Sequence, residues 1–302
     1  LWPAFWLMGN LVRATYVASS DWIWPWSYDE CDRALQRKQA VSACSPTAHY
    51  GMSPLAGRGA PEIDVLEVMP GDEALAWGMK KPYVSTSLQL GPGVTAARPD
   101  NGNMPLPRSK YNWYHGMDYG TDLNSSINVF FYGSEQTHKD ARYTYQADAI
   151  SANSMLKKTH FEREVTYRVE WVPDASAGHI VWYIGGELIY RIRASNLRIP
   201  GVQTGHIPDE PMYIIFNVAM SKTWGFPNPL PPGCSDDCYD CRDPACSCAV
   251  NKGFCNTLPA HMTADYVRVW QPRNDTRYSI GCSTIRSTPW AKRRWSGWAA
   301  SV

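Results

Sequence analysis

Short alternating segments dominate the chain. Residues 83–90, YVSTSLQL, set Val84, Thr86 and Leu88 on one side and Ser85, Ser87 and Gln89 on the other. Residues 165–172, VTYRVEWV, set Tyr167, Val169 and Trp171 against Thr166, Arg168 and Glu170. A period of two marks a strand with one face buried. INVFFY (127–132) is β-branched and aromatic, and TADYVRVWQ (263–271) alternates again. MYIIFNVAM (212–220) is a continuous apolar run and predicts a strand covered on both faces. HIVWYIGGELIYRIR (179–193) predicts a hairpin turning at Gly185-Gly186. Helical periodicity is confined to one short candidate, residues 29–44. The pattern predicts an all-β antiparallel sandwich of the jelly-roll type, with no internal repeat and no interdomain linker.

One segment breaks the alternation. In PEIDVLEV (61–68), Glu62 and Asp64 are in step and Glu67 is out of step. A β-bulge at Val65-Leu66 would restore parity and put all three acids on one face. Cleavage of a glycosidic bond with retention needs two carboxyls about 5–5.5 Å apart, one as nucleophile and one as acid/base. Crowded carboxyls raise one another's pKa, so one stays protonated while another ionises. A solvated acidic strand is the bland alternative, but Ile63, Val65, Leu66 and Val68 make this strand apolar.

Three long connections separate the strands: residues 18–60, 92–126 and 221–261. Loops of this length in a compact domain are functional or disordered, and the aromatics Trp22, Trp24, Trp26, Trp113 and Tyr114 argue against disorder. The 14 Trp and 17 Tyr against 7 Phe favour flat faces with polar handles, as sugar rings require. Six of the nine cysteines (Cys234, Cys238, Cys241, Cys246, Cys248, Cys255) fall in a Cys-rich loop, 234–255. Three disulfides suit that crowding better than zinc, whose structural sites use two spaced pairs. Cys31 and Cys44 bracket another loop and can pair with each other, which leaves Cys282 over. Together with glycosylation sequons at Asn124 and Asn274, the cysteines place the chain in the secretory pathway lumen, at the cell surface or outside the cell. A net charge of +1 implies neither nucleic acid nor an anionic membrane surface. The histidines show no metal-ligand spacing. No cofactor is expected, with room left for a structural Ca²⁺ on the convex face.

These residues resemble glycoside hydrolase family 16. EIDVLE is similar to its bulged catalytic strand, LWPAFWLMG to its Trp-Pro-Ala-x-Trp strand, FNVAMSKTWG to its Asn-bearing strand followed by a cleft Trp, and DYVRVWQ to its closing strand. WPWSYDECD, GRGAPEIDVLEVMP and VSTSLQLGPG resemble the fungal-type β-glucan-synthesis-associated membrane proteins. The resemblance spans 1–282 as one concanavalin-like domain, cut at its N-terminal side, with 283–302 as a C-terminal tail. It implies Glu62 as nucleophile, Asp64 as assisting acid and Glu67 as general acid/base. It also implies a sugar cleft lined by Trp6, Asn217 and Trp224, to which the loop residues Trp24, Trp26 and Trp113 are added as candidates. The implied activity is a retaining glycosidase or transglycosylase acting on β-1,6/β-1,3-glucan in wall synthesis or remodelling. A non-catalytic glucan-binding or scaffolding module of a synthesis complex is the alternative. VSTSLQL departs from the family in lacking a His that many hydrolytic members carry, which weakens plain hydrolysis. The chain begins at Leu1 and reads as a piece of a longer polypeptide; LWPAFWLM meets Arg13 too soon to span a bilayer, and an upstream membrane anchor is implied by the resemblance alone.

Overall fold

A computed structural model gives the architecture. It describes residues 2–9, 46–47, 62–71, 81–89, 118–127, 135–137, 144–146, 149–174, 176–197, 207–208, 212–219, 232–233, 240–247, 254–275 and 278. Twelve strands are described: β1 (Trp2–Gly9), β2 (Glu62–Met69), β3 (Tyr83–Gln89), β4 (Asp118–Tyr119), β5 (Ser125–Ile127), β6 (Glu135–Thr137), β7 (Thr144–Gln146), β8 (Ala149–Met155), β9 (Tyr167–Val172), β10 (His179–Ile184), β11 (Glu187–Arg193) and β12 (Met212–Ala219). They form a six-stranded sheet in the order β12-β1-β2-β3-β8-β5, a four-stranded sheet β4-β11-β10-β9 and a two-stranded pair β6-β7. Every pairing is antiparallel. Helix is limited among the described residues to single turns such as Thr159–Glu162 and Pro244–Ser247. The chain is an all-β sandwich.

The two large sheets meet through the apolar parity of their strands. Ile63, Leu88, Ile150 and Ala152 come from the six-stranded sheet; Ile180, Trp182, Ile189, Tyr190 and Ile192 come from the four-stranded one. The other face of β2 and β3 carries acids, hydroxyls and an amide, yet these too are buried: Glu62, Asp64, Glu67, Ser85, Ser87 and Gln89. Thus the six-stranded sheet has an apolar face toward its partner sheet and a polar face away from it.

The β10–β11 hairpin turns at Gly185 and Gly186, with φ of 59° and 88°. Two consecutive positive φ values are what a primed two-residue turn requires, and glycine adopts them without strain. Gly120 is constrained differently: a Cβ there would lie 1.6 Å from the Leu188 carbonyl oxygen. Gly186 has open space around it. Gly186→Ala is therefore expected to cost about 1 kcal/mol of backbone strain. Gly120→Ala must push β4 off β11 and is expected to cost more, about 2–4 kcal/mol. Urea midpoints of the two variants check the order.

Two strand expectations are corrected. MYIIFNVAM is not covered on both faces. As β12 it is the edge of its sheet, and Tyr213, Ile214, Phe216 and Val218 are each about half exposed. A continuous apolar run cannot by itself distinguish a central strand from an edge whose apolar face extends past the opposing sheet. TADYVRVWQ is not assigned as a strand: residues 263–271 have no ladder partner among the described residues, and Tyr266, Val267, Val269 and Trp270 are exposed. Alternation reports how side chains could be sorted between two faces; it does not supply the neighbour that makes a strand a sheet. The helix candidate at 29–44 lies outside the described residues, as does INVFFY beyond Ile127.

Candidate functional site

The polar face of β2 is built by a register shift. Against β3, Glu62 lies opposite Gln89, Asp64 opposite Ser87 and Glu67 opposite Ser85, with the shift falling between Asp64 and Glu67. Val65 and Leu66 thus oppose the single residue Thr86, which is a β-bulge. Residues 85, 87 and 89 alternate regularly on β3, so their opposites Glu67, Asp64 and Glu62 share one face. On the other side, β1 places Met8 opposite Glu62, Trp6 opposite Asp64 and Ala4 opposite Glu67.

The three carboxyls sit in a buried, partly satisfied network. Gln89 Nε2 donates to Glu62 Oε1 and to Asp64 Oδ2, each at 2.8 Å. The Ser87 hydroxyl donates to the same Asp64 oxygen. Among the described residues, Asp64 Oδ1 and Glu67 Oε2 are buried without a regular donor. Gln89 Nε2 thus bridges the Glu62 and Asp64 carboxyls. Desolvation raises the pKa of all three acids. For Glu62 the charges of Asp64 and Glu67 add to burial and push it well above the usual carboxyl range. Asp64 is raised by burial, but the bonds from Ser87 and Gln89 oppose the rise. Glu67 is raised well above the usual range by burial and then by Asp64, with the Trp2 side chain opposing the rise. Asp64, with two donors, is therefore the acid of the three whose ionised form is best supported.

Gln89 is the neutral clamp of this pair. Gln89→Leu removes the donor common to Glu62 and Asp64 and leaves both buried oxygens short of a partner. The expected cost is about 1–3 kcal/mol, read as a lower denaturation midpoint, with Gln89→Glu worse because it adds a fourth carboxyl. Neither Ser87 nor Gln89 was singled out from sequence as a site residue. The signal was present in the Ser-x-Ser-x-Gln parity of YVSTSLQL, on the strand next to the acids.

Trp6 and Asn217 are brought to the same region. Trp6 Nε1 donates to Asn217 Oδ1 at 2.8 Å, and Asn217 lies opposite Ala4 in the β1–β12 ladder. The small Ala4 side chain separates Asn217 from Glu67 in that row. Trp24, Trp26, Trp113 and Trp224 lie outside the described residues. From below the bulge, Trp182 Nε1 donates to the Asp64 carbonyl oxygen at 2.8 Å.

In the Cys-rich loop, Cys241 and Cys255 form a disulfide with Cα atoms 5.6 Å apart. Cys246 is also disulfide-bonded and buried. Thiols bound to each other are not zinc ligands, so the metal reading of this loop fails for these three. Cys31, Cys44, Cys234, Cys238 and Cys248 lie outside the described residues. Asn274 is exposed in a turn, whereas Asn124 is half-buried, its Nδ2 donating to Asp122 Oδ1 at 3.0 Å.

The chain is thus an all-β sandwich that carries three buried acids on one face of a bulged strand. The family model described as beta-glucan synthesis-associated protein SKN1/KRE6/Sbg1 matches residues 1–229, and the chain belongs to that family. It is 27% identical over 301 residues to beta-glucan synthesis-associated protein KRE6 of Candida albicans, covering 93% of this chain and 34% of the relative. It is 29% identical over 293 residues to KRE6 of Saccharomyces cerevisiae, covering 91% of this chain and 33% of the relative. SKN1 of the same yeast is 29% identical over 303 residues, covering 93% and 32%. The chain thus spans about a third of the length of these curated relatives. No solved structure matches. Among the described residues, no helix is long and apolar enough to cross a membrane.

Proposed function

We propose that this domain is a retaining glycosidase or transglycosylase that acts on β-glucan within β-glucan synthesis or remodelling. The observation that carries the reading is the bulge, which turns Glu67 onto the face of Glu62 and Asp64. Burying three acids on one face costs stability, and a double displacement uses them. Glu62 attacks the anomeric carbon, and Glu67 protonates the departing glycosidic oxygen. Asp64 takes the proton that Glu62 carries at rest, so that Glu62 can become a carboxylate as substrate enters. Glu67, raised in pKa, is protonated when the bond breaks and ionised when it later accepts a proton from the incoming water or sugar hydroxyl. Trp6, held by Asn217, offers a flat face beside this row for a sugar ring.

The names of the relatives associate them with β-glucan synthesis, and that supports β-glucan as the substrate class. The cysteine pattern and the Cys241–Cys255 disulfide support a lumenal or cell-surface location. Asn274, the exposed sequon, is the better acceptor for a glycan of the two. The deciding experiment incubates the protein with laminari-oligosaccharides and follows products by mass spectrometry. Longer and shorter oligomers from one substrate show transfer, and shorter ones alone show hydrolysis. Unchanged oligosaccharide bound by the protein would replace the enzyme by a glucan-binding module.

A further inference from the structure

Bulges expose backbone groups that a regular ladder would pair. Here the acid strand's bulge is met by two aromatic side chains from the opposite sheet. Trp182 on β10 donates from Nε1 to the carbonyl oxygen of Asp64, the residue that enters the bulge, at 2.8 Å. Tyr190 on β11 donates from its hydroxyl to the carbonyl oxygen of Thr86, the residue that faces the bulge, at 2.9 Å; the Ile150 oxygen lies farther, at 3.3 Å. The two donors thus reach both strands of the bulge, one each. Their rings are stacked, with centroids 4.4 Å apart and planes 2° from parallel. Both residues are almost completely buried. They are cross-strand neighbours, and the β10–β11 ladder has its own register shift immediately after Trp182. The irregular places of the two sheets therefore face each other and are joined by hydrogen bonds.

We propose that Trp182 and Tyr190 are positioning residues that lock the bulge and so hold Glu67 on the face of Glu62 and Asp64. If β2 lost its extra residue from the bulge, every side chain beyond it would change face. Glu67 would then turn toward the apolar core. Such a slip would also strand two buried donors, which makes it costly in this context. Apolar packing alone would be satisfied by Phe at both positions; an indole N–H and a phenol O–H aimed at the two strands of one bulge would not be needed. The proposal rests on the catalytic reading for its kinetic consequence, but its structural content stands separately.

Trp182→Phe and Tyr190→Phe keep a planar ring and remove one donor each. In the full chain, kcat on laminari-oligosaccharides is expected to fall by on the order of 10- to 100-fold with KM little changed, because misplacing a catalytic group by about 1 Å costs that much. Amide hydrogen exchange at Val65 and Leu66 is expected to accelerate relative to other β2 amides. A purely space-filling role predicts a lower melting temperature with kcat and bulge exchange unchanged well below it, and that result would overturn the proposal. Should the wild-type protein turn over no glucan, the catalytic reading fails, while faster exchange confined to the bulge still supports the lock and unchanged exchange sinks it. Tyr190→Phe deletes a single oxygen and serves if Trp182→Phe does not fold.

Discussion

Glu62→Gln is expected to reduce turnover of β-1,3/1,6-linked oligosaccharides by on the order of 10⁴-fold or more, with the fold intact. The amide is close to isosteric with the carboxyl. Its oxygen still accepts from Gln89 Nε2, as Glu62 Oε1 does at 2.8 Å. Its NH₂ carries no charge and so relieves the repulsion between this position and Asp64. Structure and binding should therefore survive while the nucleophile is lost. Wild-type protein treated with a 2-fluoro glucosyl donor is expected to gain one glycosyl mass on the peptide containing Glu62, and Glu62→Gln none. Undiminished turnover in Glu62→Gln would remove the double displacement. Equal glucan affinity with no turnover in either protein would favour the binding-module alternative.

The six-stranded sheet's centre was legible because its signal is local. Parity in residues 83–90 and the broken parity in 62–67 each depend on neighbours a few residues away, and both reappear as β3 and the bulged β2. The hairpin at Gly185-Gly186 was legible for the same reason. What was not legible depends on distant partners. β8 (AISANSM) is Ala- and Ser-rich and has no strand signature of its own. It is a strand because Ser85, Thr86 and Ser87 lie opposite Asn153, Ala152 and Ser151. β12 reads as central and is the edge among the described strands, and residues 263–271 read as a strand and have none beside them among the described residues. Within the site the acids announced themselves by their spacing. Gln89 and Ser87 did not, since a polar residue on an alternating strand ordinarily faces water. Trp182 and Tyr190 read as two core aromatics of a hairpin, and nothing in their own segment indicates that their polar atoms end on β2 and β3.

Glu67→Gln is expected to make the protein more stable and less active. Burial and the charge of Asp64 hold the Glu67 carboxyl well above its usual pKa. A folded-state pKa above the unfolded value means that the folded protein binds the proton more tightly. Stability is then fullest below the unfolded pKa and is lost as pH rises through the folded one. Each such acid can tilt stability by up to about 1.4 kcal/mol per pH unit inside its window. Wild-type protein should therefore lose stability as pH rises from the ordinary carboxyl range toward neutral, with Glu62 and Asp64 adding to the slope in the same sense. The uncharged amide of Glu67→Gln removes one contribution. At pH 7 the gain is expected to be about 1–2 kcal/mol, and thermal melts from pH 4.5 to 8 should show a shallower fall than wild type. Turnover of glucan should drop by about 10²- to 10⁴-fold through loss of the acid. Aryl glucosides, whose leaving group departs without a proton, should lose far less in the first step and accumulate the glycosyl-enzyme. A variant that is stabilised but equally impaired on both substrates would place Glu67 in the electrostatics of the strand rather than in proton transfer. An unchanged pH–stability slope would mean that the Glu67 carboxyl is not under the repulsion its position imposes.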